Sequence, residues 1–390
     1  MRAGYRCAPS NDEGWLEWKY RVPEGRLSAT GYEETRDEWV AIRQAYWTAE
    51  VTEEARAPYL KEALDLVQRV GVFPITHYST LGAELEVQLC REHGLAGDNQ
   101  TAPYGVKSSL SRAGADLCHF MFPNLFDIRG IKVNNSLLQK FETPDLLQKA
   151  LPRALSTPGG LNLSDVKGQQ PHATNFYPMA AQHIFTTYAP EGGVVWDPSC
   201  GFGGRLLGAL TSRKHFTYLG TDPAEETIHN LKRLGGLIEG VTGRTHSYEL
   251  YEQGSEEEID LKGEVDFAFT SPPYFSLEWY ETTDKTQGLE EWFEEYVRGT
   301  IRNIYRALKP GARYAVNLAD FEDGGREVSF VDQWAQISFE EGFRFISLHG
   351  LDITARPNTE LRGKWNNAAR RIATLNAGVR QEPILHFYKP

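Results

Sequence analysis

Four consecutive residues, Ser271-Pro272-Pro273-Tyr274, are the most distinctive chemical feature of this sequence. They follow an apolar run at 267–270 that predicts a buried strand. Because two prolines fix φ and keep the preceding backbone extended, we expect the Ser271 hydroxyl and the Pro272 carbonyl to point the same way. Two such acceptors can bind both hydrogens of an aromatic amino group and localise the nitrogen lone pair for attack, while Tyr274 stacks on the ring. The alternative is a rigid turn that only ends the strand.

A glycine-rich turn at 197–204, Asp-Pro-Ser-Cys-Gly-Phe-Gly-Gly, is the second feature with chemical meaning. An apolar run precedes the turn and a helical pattern follows it, and together they predict the start of a β-α-β unit. Asp197 and Pro198 end the strand at the edge where doubly wound sheets bind ligands. Gly201 and Gly203 allow the backbone to approach such a ligand closely.

Asp222 ends the next apolar run of the chain, at 216–221. A carboxylate at that place can accept a hydrogen bond from each of the two hydroxyls of a ribose. The alternative is that Asp222 caps the helix that follows Pro223. The glycine turn one strand earlier favours the ligand-binding role.

The composition is that of a globular protein with a substantial core. The 390 residues include 41% hydrophobic and 12% aromatic side chains, which argues against wholesale disorder. A formal net charge of -12 argues against a wholly basic surface, although a local basic patch remains compatible with nucleic acid. The four cysteines are far apart and fit no zinc spacing, so we expect reduced thiols and no metal site. Without the pattern of a signal peptide or a membrane span, a cytoplasmic location is expected.

The order of the patterns predicts two parts, divided near residue 165. Residues 1–165 show mainly helical periodicity and no catalytic motif, and we expect an accessory or target-recognition domain there. Residues 166–390 alternate between strand and helix patterns. This alternation predicts an α/β fold with a doubly wound, mainly parallel sheet and helices on both faces. The last strand follows another strand, so it is expected to run antiparallel to its neighbours.

From about residue 172 onward, the glycine turn, Asp222 and the Ser-Pro-Pro-Tyr corner resemble the S-adenosylmethionine-dependent methyltransferases that modify exocyclic amino groups of DNA bases. The resemblance implies a seven-stranded, Rossmann-like methyltransferase sheet and S-adenosyl-L-methionine as the cofactor. It implies that Asp222 holds the ribose. It also places four residues of the glycine turn against the methionine part of the cofactor: Asp197, Pro198, Gly201 and Gly203.

Two further segments match places where this family contacts the cofactor. Asn175, Phe176 and Pro178 belong to an aromatic-proline segment upstream of the glycine turn. The alternative for this segment is an ordinary helix start. Glu256 follows the third predicted strand, where the family contacts the adenine.

In this family, serine at the first position of the corner is typical of cytosine N4 modification, whereas aspartate or asparagine is more common for adenine N6. A base inside a duplex cannot present its amino group, so the target base is expected to be flipped out or single-stranded. Phe275, Glu278 and Tyr280 follow the corner and either line the target pocket or pack the loop. Asn317 and Asp320 are further candidates for the pocket, or alternatively turn formers.

A basic segment between the last two predicted strands contains Arg356, Arg370 and Arg371 in an otherwise acidic chain. These side chains are expected to follow DNA phosphates, with a solvated loop and helix as the alternative. The sequence therefore predicts a site-specific DNA methyltransferase, with cytosine N4 favoured over adenine N6. Two alternatives stay open: the same chemistry on RNA or a protein amide, and a cofactor-fold protein that binds nucleic acid without catalysis. The recognition sequence and any restriction partner do not follow from these residues.

Overall fold

The computed structural model describes most of the chain. The described residues are 35–71, 73–76, 78, 80–96, 101–102, 105–106, 112–130, 135–156, 160–168, 172–275, 278–279, 287–352 and 381–390. They group into two compact units. The first lies within Met1–Leu85, His119–Thr174 and Glu278–Tyr280, and the second within Glu86–Cys118, Asn175–Leu277 and Glu281–Pro390. This grouping differs from the expected division near residue 165, because Glu86–Cys118 belongs with the second unit.

The first unit is mainly helical, as its periodicity predicts. Its elements are the helices Arg36–Thr48, Glu53–Val70, Leu137–Glu142, Pro144–Gln148, Leu151–Ala154 and Leu163–Lys167, a 3-10 turn at Pro123–Asp127, and an antiparallel pair of strands, Arg129–Gly130 with Glu278–Trp279. Thr52 is the N-cap of the second helix, and Gly71, with φ of 65°, is its C-cap. Phe73 packs against Phe126 and Phe141, with ring centroids 5.0 and 5.4 Å away. Two more helices, Thr80–Ala96 and Ala115–Met121, contain the points where the chain passes between the units.

In the second unit, the described residues form one sheet of nine strands, two of which are dipeptides. The seven longer strands are β1 Val194–Asp197, β2 Thr217–Asp222, β3 Ser247–Glu252, β4 Val265–Thr270, β5 Leu308–Asn317, β6 Arg344–Asp352 and β7 Gln381–Tyr388. Their spatial order is β6-β7-β5-β4-β1-β2-β3, and the dipeptides Gly105–Val106 and Thr101–Ala102 extend the sheet beyond β6. Among the seven, every pairing is parallel except those of β7 with β5 and β6. The predicted doubly wound, mainly parallel sheet and its antiparallel last strand are confirmed.

Side chains that alternate along β4 show why helices lie on both faces of this sheet. Phe267 and Phe269 contact Phe185 of the helix that precedes β1. Ala268, between them, belongs instead to an apolar cluster with Ile301 and Trp334 of later helices. The described helices of this unit are Pro178–Tyr188, Gly204–Leu210, Glu225–Thr242, Leu289–Trp292, Arg298–Ala307 and Phe330–Glu340. A π-helical turn, Phe293–Val297, joins Leu289–Trp292 to Arg298–Ala307. A hairpin of Phe321–Asp323 with Arg326–Val328 follows β5.

Parallel pairing brings the carboxyl ends of β1, β2 and β4 to one edge of the sheet. Asp197 of β1 pairs with Gly220, two residues before Asp222 at the end of β2. On the other side, Trp196 pairs with Ala268, two residues before the end of β4. The glycine turn, Asp222 and the Ser-Pro-Pro-Tyr corner therefore leave neighbouring strands at the same edge, where doubly wound sheets bind ligands.

Two histidines lie side by side on neighbouring strands, the half-buried His349 on β6 and the buried His386 on β7. Their ring centroids are 4.4 Å apart, and the Tyr188 ring is also 4.4 Å from His386. The Tyr188 hydroxyl bonds to Nδ1 of His349 at 2.5 Å, whereas Nε2 of His386 has no partner among the described residues. Burial lowers the pKa of His386 to about 3, and the neighbouring His349 and Arg313 act in the same direction.

We expect the protein to lose stability in mild acid, because His386 stays neutral in the fold but gains a proton in the unfolded chain. The loss begins as the pH falls below 6.5, the ordinary histidine value, and grows until about 3. At about pH 5 it amounts to roughly 2 kcal/mol for this residue. In His386→Leu, urea unfolding at about pH 7.5 and pH 5 should show a smaller difference than in the wild type. An equal difference in both proteins would show that another group is responsible.

Within the described residues, no helix combines the length and the apolar character needed to cross a lipid bilayer. Over the same residues, His, Cys, Asp and Glu side chains do not gather in groups of three or more that suit a metal ion. Cys90, Cys118 and Cys200 are free and buried thiols. Cys200, beside the glycine turn, therefore acts as a small packing residue.

Candidate functional site

The glycine turn has the backbone conformation that its residues predict. Gly201 has φ of 55° and Gly203 has φ of 80°, in the left-handed region where a side chain is strained. Gly203 is the N-cap of the helix Gly204–Leu210. Beside Gly201 there is open space, since an added Cβ would meet only the Ser199 carbonyl oxygen at 3.8 Å. The turn is therefore fixed in shape and accessible to a ligand at Gly201.

Asp197 holds this turn from within the protein. Its carboxylate is fully buried, and Oδ2 accepts hydrogen bonds from Arg205 Nε at 2.7 Å and from the Tyr218 hydroxyl at 2.8 Å. Arg205 also donates to the Ser199 carbonyl inside the turn. Burial raises the pKa of Asp197, and the Arg205 ion pair opposes that shift. The structure thus gives Asp197 a positioning role, and its predicted direct contact with a cofactor stays a prediction.

Asp222 bridges the glycine turn and the chain that follows β2. One carboxylate oxygen accepts from the Gly201 N–H at 3.1 Å and the other from the Ala224 N–H at 3.0 Å. Burial raises the pKa of Asp222 to about 6. The helix Glu225–Thr242 has Ala224 as its N-cap and no side-chain capping bond, so the alternative role of Asp222 as the cap is wrong. Each oxygen retains capacity for a second donor.

The aromatic-proline segment packs directly on the glycine turn. Asn175 Nδ2 donates to the Phe202 carbonyl at 2.7 Å, and the Arg205 guanidinium lies 5.7 Å from the Phe176 ring. Pro178 is the first residue of the helix Pro178–Tyr188, a position that favours proline. The segment is therefore a helix start, as the alternative holds, and it also buttresses the turn. Its contact with a cofactor stays a prediction.

Gly204→Ala tests how closely these two segments pack. A Cβ at Gly204 would overlap the backbone carbonyl oxygen of Phe176, so the segments must separate. We expect a loss of about 2 kcal/mol in the free energy of unfolding, measured in urea. The matched control is Gly236→Ala in the helix Glu225–Thr242, where an added Cβ meets nothing within 4 Å. The control should gain roughly 0.5–1 kcal/mol, and a similar gain in Gly204→Ala would contradict the packing described here.

The loop after β3 is held by the helix that precedes β5. The Ser255 hydroxyl bonds to Thr300 Oγ1 at 2.7 Å, and Asn303 Nδ2 donates to the Ser255 and Glu257 carbonyls at 2.9 and 2.7 Å. Glu256 lies between these anchored residues with an exposed side chain. These bonds fix the backbone of the loop, and burial raises the pKa of the Glu256 carboxyl although the residue as a whole is exposed. The predicted adenine contact stays a prediction.

The Ser-Pro-Pro-Tyr corner leaves β4 at Thr270, with Pro272 buried and Ser271 half-buried. The Tyr274 hydroxyl accepts a hydrogen bond from the Ala319 N–H at 2.9 Å. The Tyr274 ring meets the rings of Phe321 and Phe330 edge-on, with centroids 5.9 and 5.7 Å away. These contacts fix the orientation of Tyr274, and its predicted stacking on a target base stays a prediction.

Three other predicted pocket residues have structural partners. The Phe275 ring packs against Trp292 at 5.6 Å, which agrees with the alternative of loop packing. Asn317 Nδ2 donates to the Pro383 carbonyl of β7 at 3.1 Å. Asp320 accepts from the N–H of Val331 at 2.9 Å, near the start of the helix Phe330–Glu340, and its alternative role as a turn former stays a prediction.

The remaining predicted substrate residues are only partly described. The backbone of Glu278 pairs with that of Gly130 in the first unit, and its side chain is outside the described part of the structure. Tyr280 and the basic residues Arg356, Arg370 and Arg371 lie outside the described residues. Their predicted contacts with DNA therefore stay predictions.

Four residues at this edge were missed by the sequence analysis. Arg205 and Tyr218 hold Asp197, while Ser199 and Tyr296 bond to each other at 3.2 Å beside the glycine turn. Asp197 and Arg205 stand at the two ends of the glycine turn, and opposite charges at these positions could have predicted the ion pair. Tyr296 lies far along the chain in a π turn, which carries no periodic signal.

No protein-family profile matches this chain, and no curated protein matches it. A TehB-like SAM-dependent methyltransferase from Corynebacterium glutamicum is 16% identical, with 56% of this chain and 90% of that chain covered at a TM-score of 0.33. A methyltransferase from Pyrococcus furiosus is 14% identical over 62% of this chain and 98% of its own, with a TM-score of 0.36. TrmN from Thermus thermophilus is 16% identical over 55% of this chain and 49% of its own, also at 0.36. None of these similarities carries a conclusion about the reaction of this chain.

The strand order and the single antiparallel strand among the seven define the second unit as a Rossmann-like, doubly wound α/β fold. At the carboxyl edge of its sheet lie a glycine turn, the desolvated carboxylate of Asp222 and a rigid corner that carries the Ser271 hydroxyl. These three parts form the candidate site.

Proposed function

We propose that this protein is an S-adenosylmethionine-dependent methyltransferase that acts on an exocyclic amino group of a DNA base, with cytosine N4 favoured. One observation carries the proposal. Asp222 ends β2 and Ser271 directly follows β4, the two strands that flank β1, and the glycine turn lies at the end of β1 itself. A nucleoside-containing donor held by the first two parts would place its reactive end near the third.

The residues of this edge fit S-adenosylmethionine. Asp222 is short of donors, since burial raises its pKa to about 6 while each oxygen accepts one N–H. Two ribose hydroxyls supply donors of the kind that stabilise such a carboxylate. The open space beside Gly201 admits the ligand to the backbone of the turn. When bound, the cofactor would supply an electrophilic methyl group.

The chain itself would activate the amino group. The Ser271 hydroxyl and the Pro272 carbonyl would accept hydrogen bonds from its two N–H groups, which localises the nitrogen lone pair toward the methyl donor. Tyr274, held by the Ala319 N–H and by two phenylalanine rings, would orient the base. This chemistry requires no covalent link between protein and base.

The choice of a DNA base is supported by the serine at the first position of the corner, which resembles cytosine N4 enzymes. The target base would leave the helix stack, because a paired base cannot present its amino group to such a corner. Residues 1–165 would serve as the accessory or target-recognition part, and the basic residues near Arg370 would contact phosphates.

Transfer of a labelled methyl group tests this function directly. The protein is incubated with methyl-tritiated cofactor and, separately, duplex DNA, single-stranded DNA, RNA or protein, and the products are identified by nucleoside mass spectrometry. We expect N4-methylcytosine in DNA. N6-methyladenine, or label only in RNA or protein, would replace the substrate assignment, and absence of label in every arm would contradict an enzymatic function.

A further inference from the structure

A π turn at Phe293–Val297 interrupts the helix that runs from Leu289 to Ala307. A π turn fits one more residue into a helical turn, so its side chains leave the positions that a continuous α-helix would give them. Such turns are uncommon, and they occur frequently at functional sites. This turn carries Tyr296.

The Tyr296 hydroxyl lies between the loops that follow β1 and β3. It is 3.2 Å from Ser199 Oγ in the glycine turn and also interacts with Ser255 after β3. Burial raises the pKa of Tyr296, and the carboxylates of Glu256 and Asp222 act in the same direction. The group is therefore a neutral hydroxyl at physiological pH, with one hydrogen to donate and two lone pairs to accept.

The Tyr296 ring is held in place by Trp292, one turn earlier in the same helix. The two rings stack with centroids 5.4 Å apart and an interplanar angle of 21°. Trp292 in turn packs against Phe330 and Phe275, with centroids 5.4 and 5.6 Å away. The hydroxyl is therefore presented by a supported ring, which suits a group that positions a ligand.

We propose that Tyr296 is a cofactor-site residue whose hydroxyl binds the nucleoside part of the methyl donor. The inference rests on the proposed function, which assigns the ribose to Asp222, and on the predicted contact of Glu256 with the adenine. The Tyr296 hydroxyl lies within electrostatic reach of both carboxylates and bonds to the glycine turn. A ligand that spans these loops passes the hydroxyl at its nucleoside end.

Calorimetric titration with S-adenosylhomocysteine and with adenosine tests this role. In Tyr296→Phe, which removes only the hydroxyl, we expect each Kd to rise by about three- to tenfold, the effect of one lost hydrogen bond. The matched control is Tyr305→Phe on the same helix, whose ring packs against Phe343 at 5.0 Å and whose hydroxyl loss should leave both Kd values unchanged. Thermal unfolding of the ligand-free variants checks that the fold is retained.

Each outcome of this titration has a distinct meaning. A wild-type protein that binds neither ligand would overturn the proposed function and the role of Tyr296 with it. Wild-type binding with unchanged Kd values in Tyr296→Phe would overturn the role of Tyr296 alone. A loss for S-adenosylhomocysteine without a loss for adenosine would also overturn it, because the hydroxyl would then act through the glycine turn at the methionine end.

Discussion

Ser271→Ala should lose most of its turnover while its affinity for the cofactor stays nearly unchanged. The Ser271 hydroxyl is proposed to accept a hydrogen bond from the amino group as the nitrogen becomes nucleophilic. Removing one preorganised polar contact of this kind costs about 10²–10³-fold in kcat. Ser271 is half-buried and follows the end of β4, so the sheet itself should be unaffected. Single-turnover methylation and calorimetric titration with S-adenosylhomocysteine measure the two effects separately.

Ser271→Asn provides the matched control for this prediction. Its side-chain carbonyl retains an acceptor at the corner, so it should recover part of the turnover that alanine loses. A weakened affinity for S-adenosylhomocysteine in Ser271→Ala, comparable to that of a cofactor-site variant, would reject the assignment of Ser271 to the chemical step.

Asp222→Ala should show the reverse pattern, a large loss of cofactor affinity. The carboxylate is proposed to accept both ribose hydroxyls, and each charge-assisted bond is worth about 1.5–3 kcal/mol. Loss of both raises the Kd of S-adenosylhomocysteine by roughly 10²-fold or more. Asp222 also accepts hydrogen bonds from the Gly201 and Ala224 N–H groups, so Asp222→Ala disturbs the turn as well. Asp222→Asn keeps one acceptor oxygen, and we expect it to lose less cofactor affinity than Asp222→Ala.

The pH dependence of binding separates Asp222 from a purely structural residue. The protein holds its pKa at about 6, and ribose hydroxyls prefer the ionised form. Affinity should therefore be constant above about 7 and should fall as the pH drops through 6, by up to about tenfold per pH unit. Asp222→Asn should lose this dependence, and Glu252→Gln, at the exposed end of β3, should keep it. A wild-type affinity that does not change between about pH 7 and 5 would contradict the ribose role.

Local patterns were sufficient to predict the sheet and the loops that leave its carboxyl edge. Strand and helix patterns alternate regularly after residue 172, so the parallel sheet follows from periodicity, and the absence of a helix pattern before β7 predicts its antiparallel direction. The glycine turn has the positive φ values that its glycines allow. These features depend on neighbouring residues in the chain, and such features are visible in a single sequence.

Features that depend on distant residues could not be predicted. Asp197 has the position of a ligand contact in the sequence, yet Arg205 and Tyr218 occupy its carboxylate, and the Tyr218 partner comes from the next strand. Tyr296 lies in a π turn and bonds to Ser199 of the glycine turn, 97 residues earlier in the chain. The segment Glu86–Cys118 carries no catalytic pattern, but the Cys90 backbone carbonyl accepts a hydrogen bond from Gln182 of the helix that precedes β1.

The central claim is that a sulfonium donor binds at the loops after β1 and β2, beside the corner that follows β4. A crystal structure of the protein with S-adenosylhomocysteine tests this most directly. We expect the ribose within hydrogen-bond distance of Asp222 and the sulfur directed toward Ser271. Ligand density at any other edge of the sheet, or none at a saturating concentration, would contradict it.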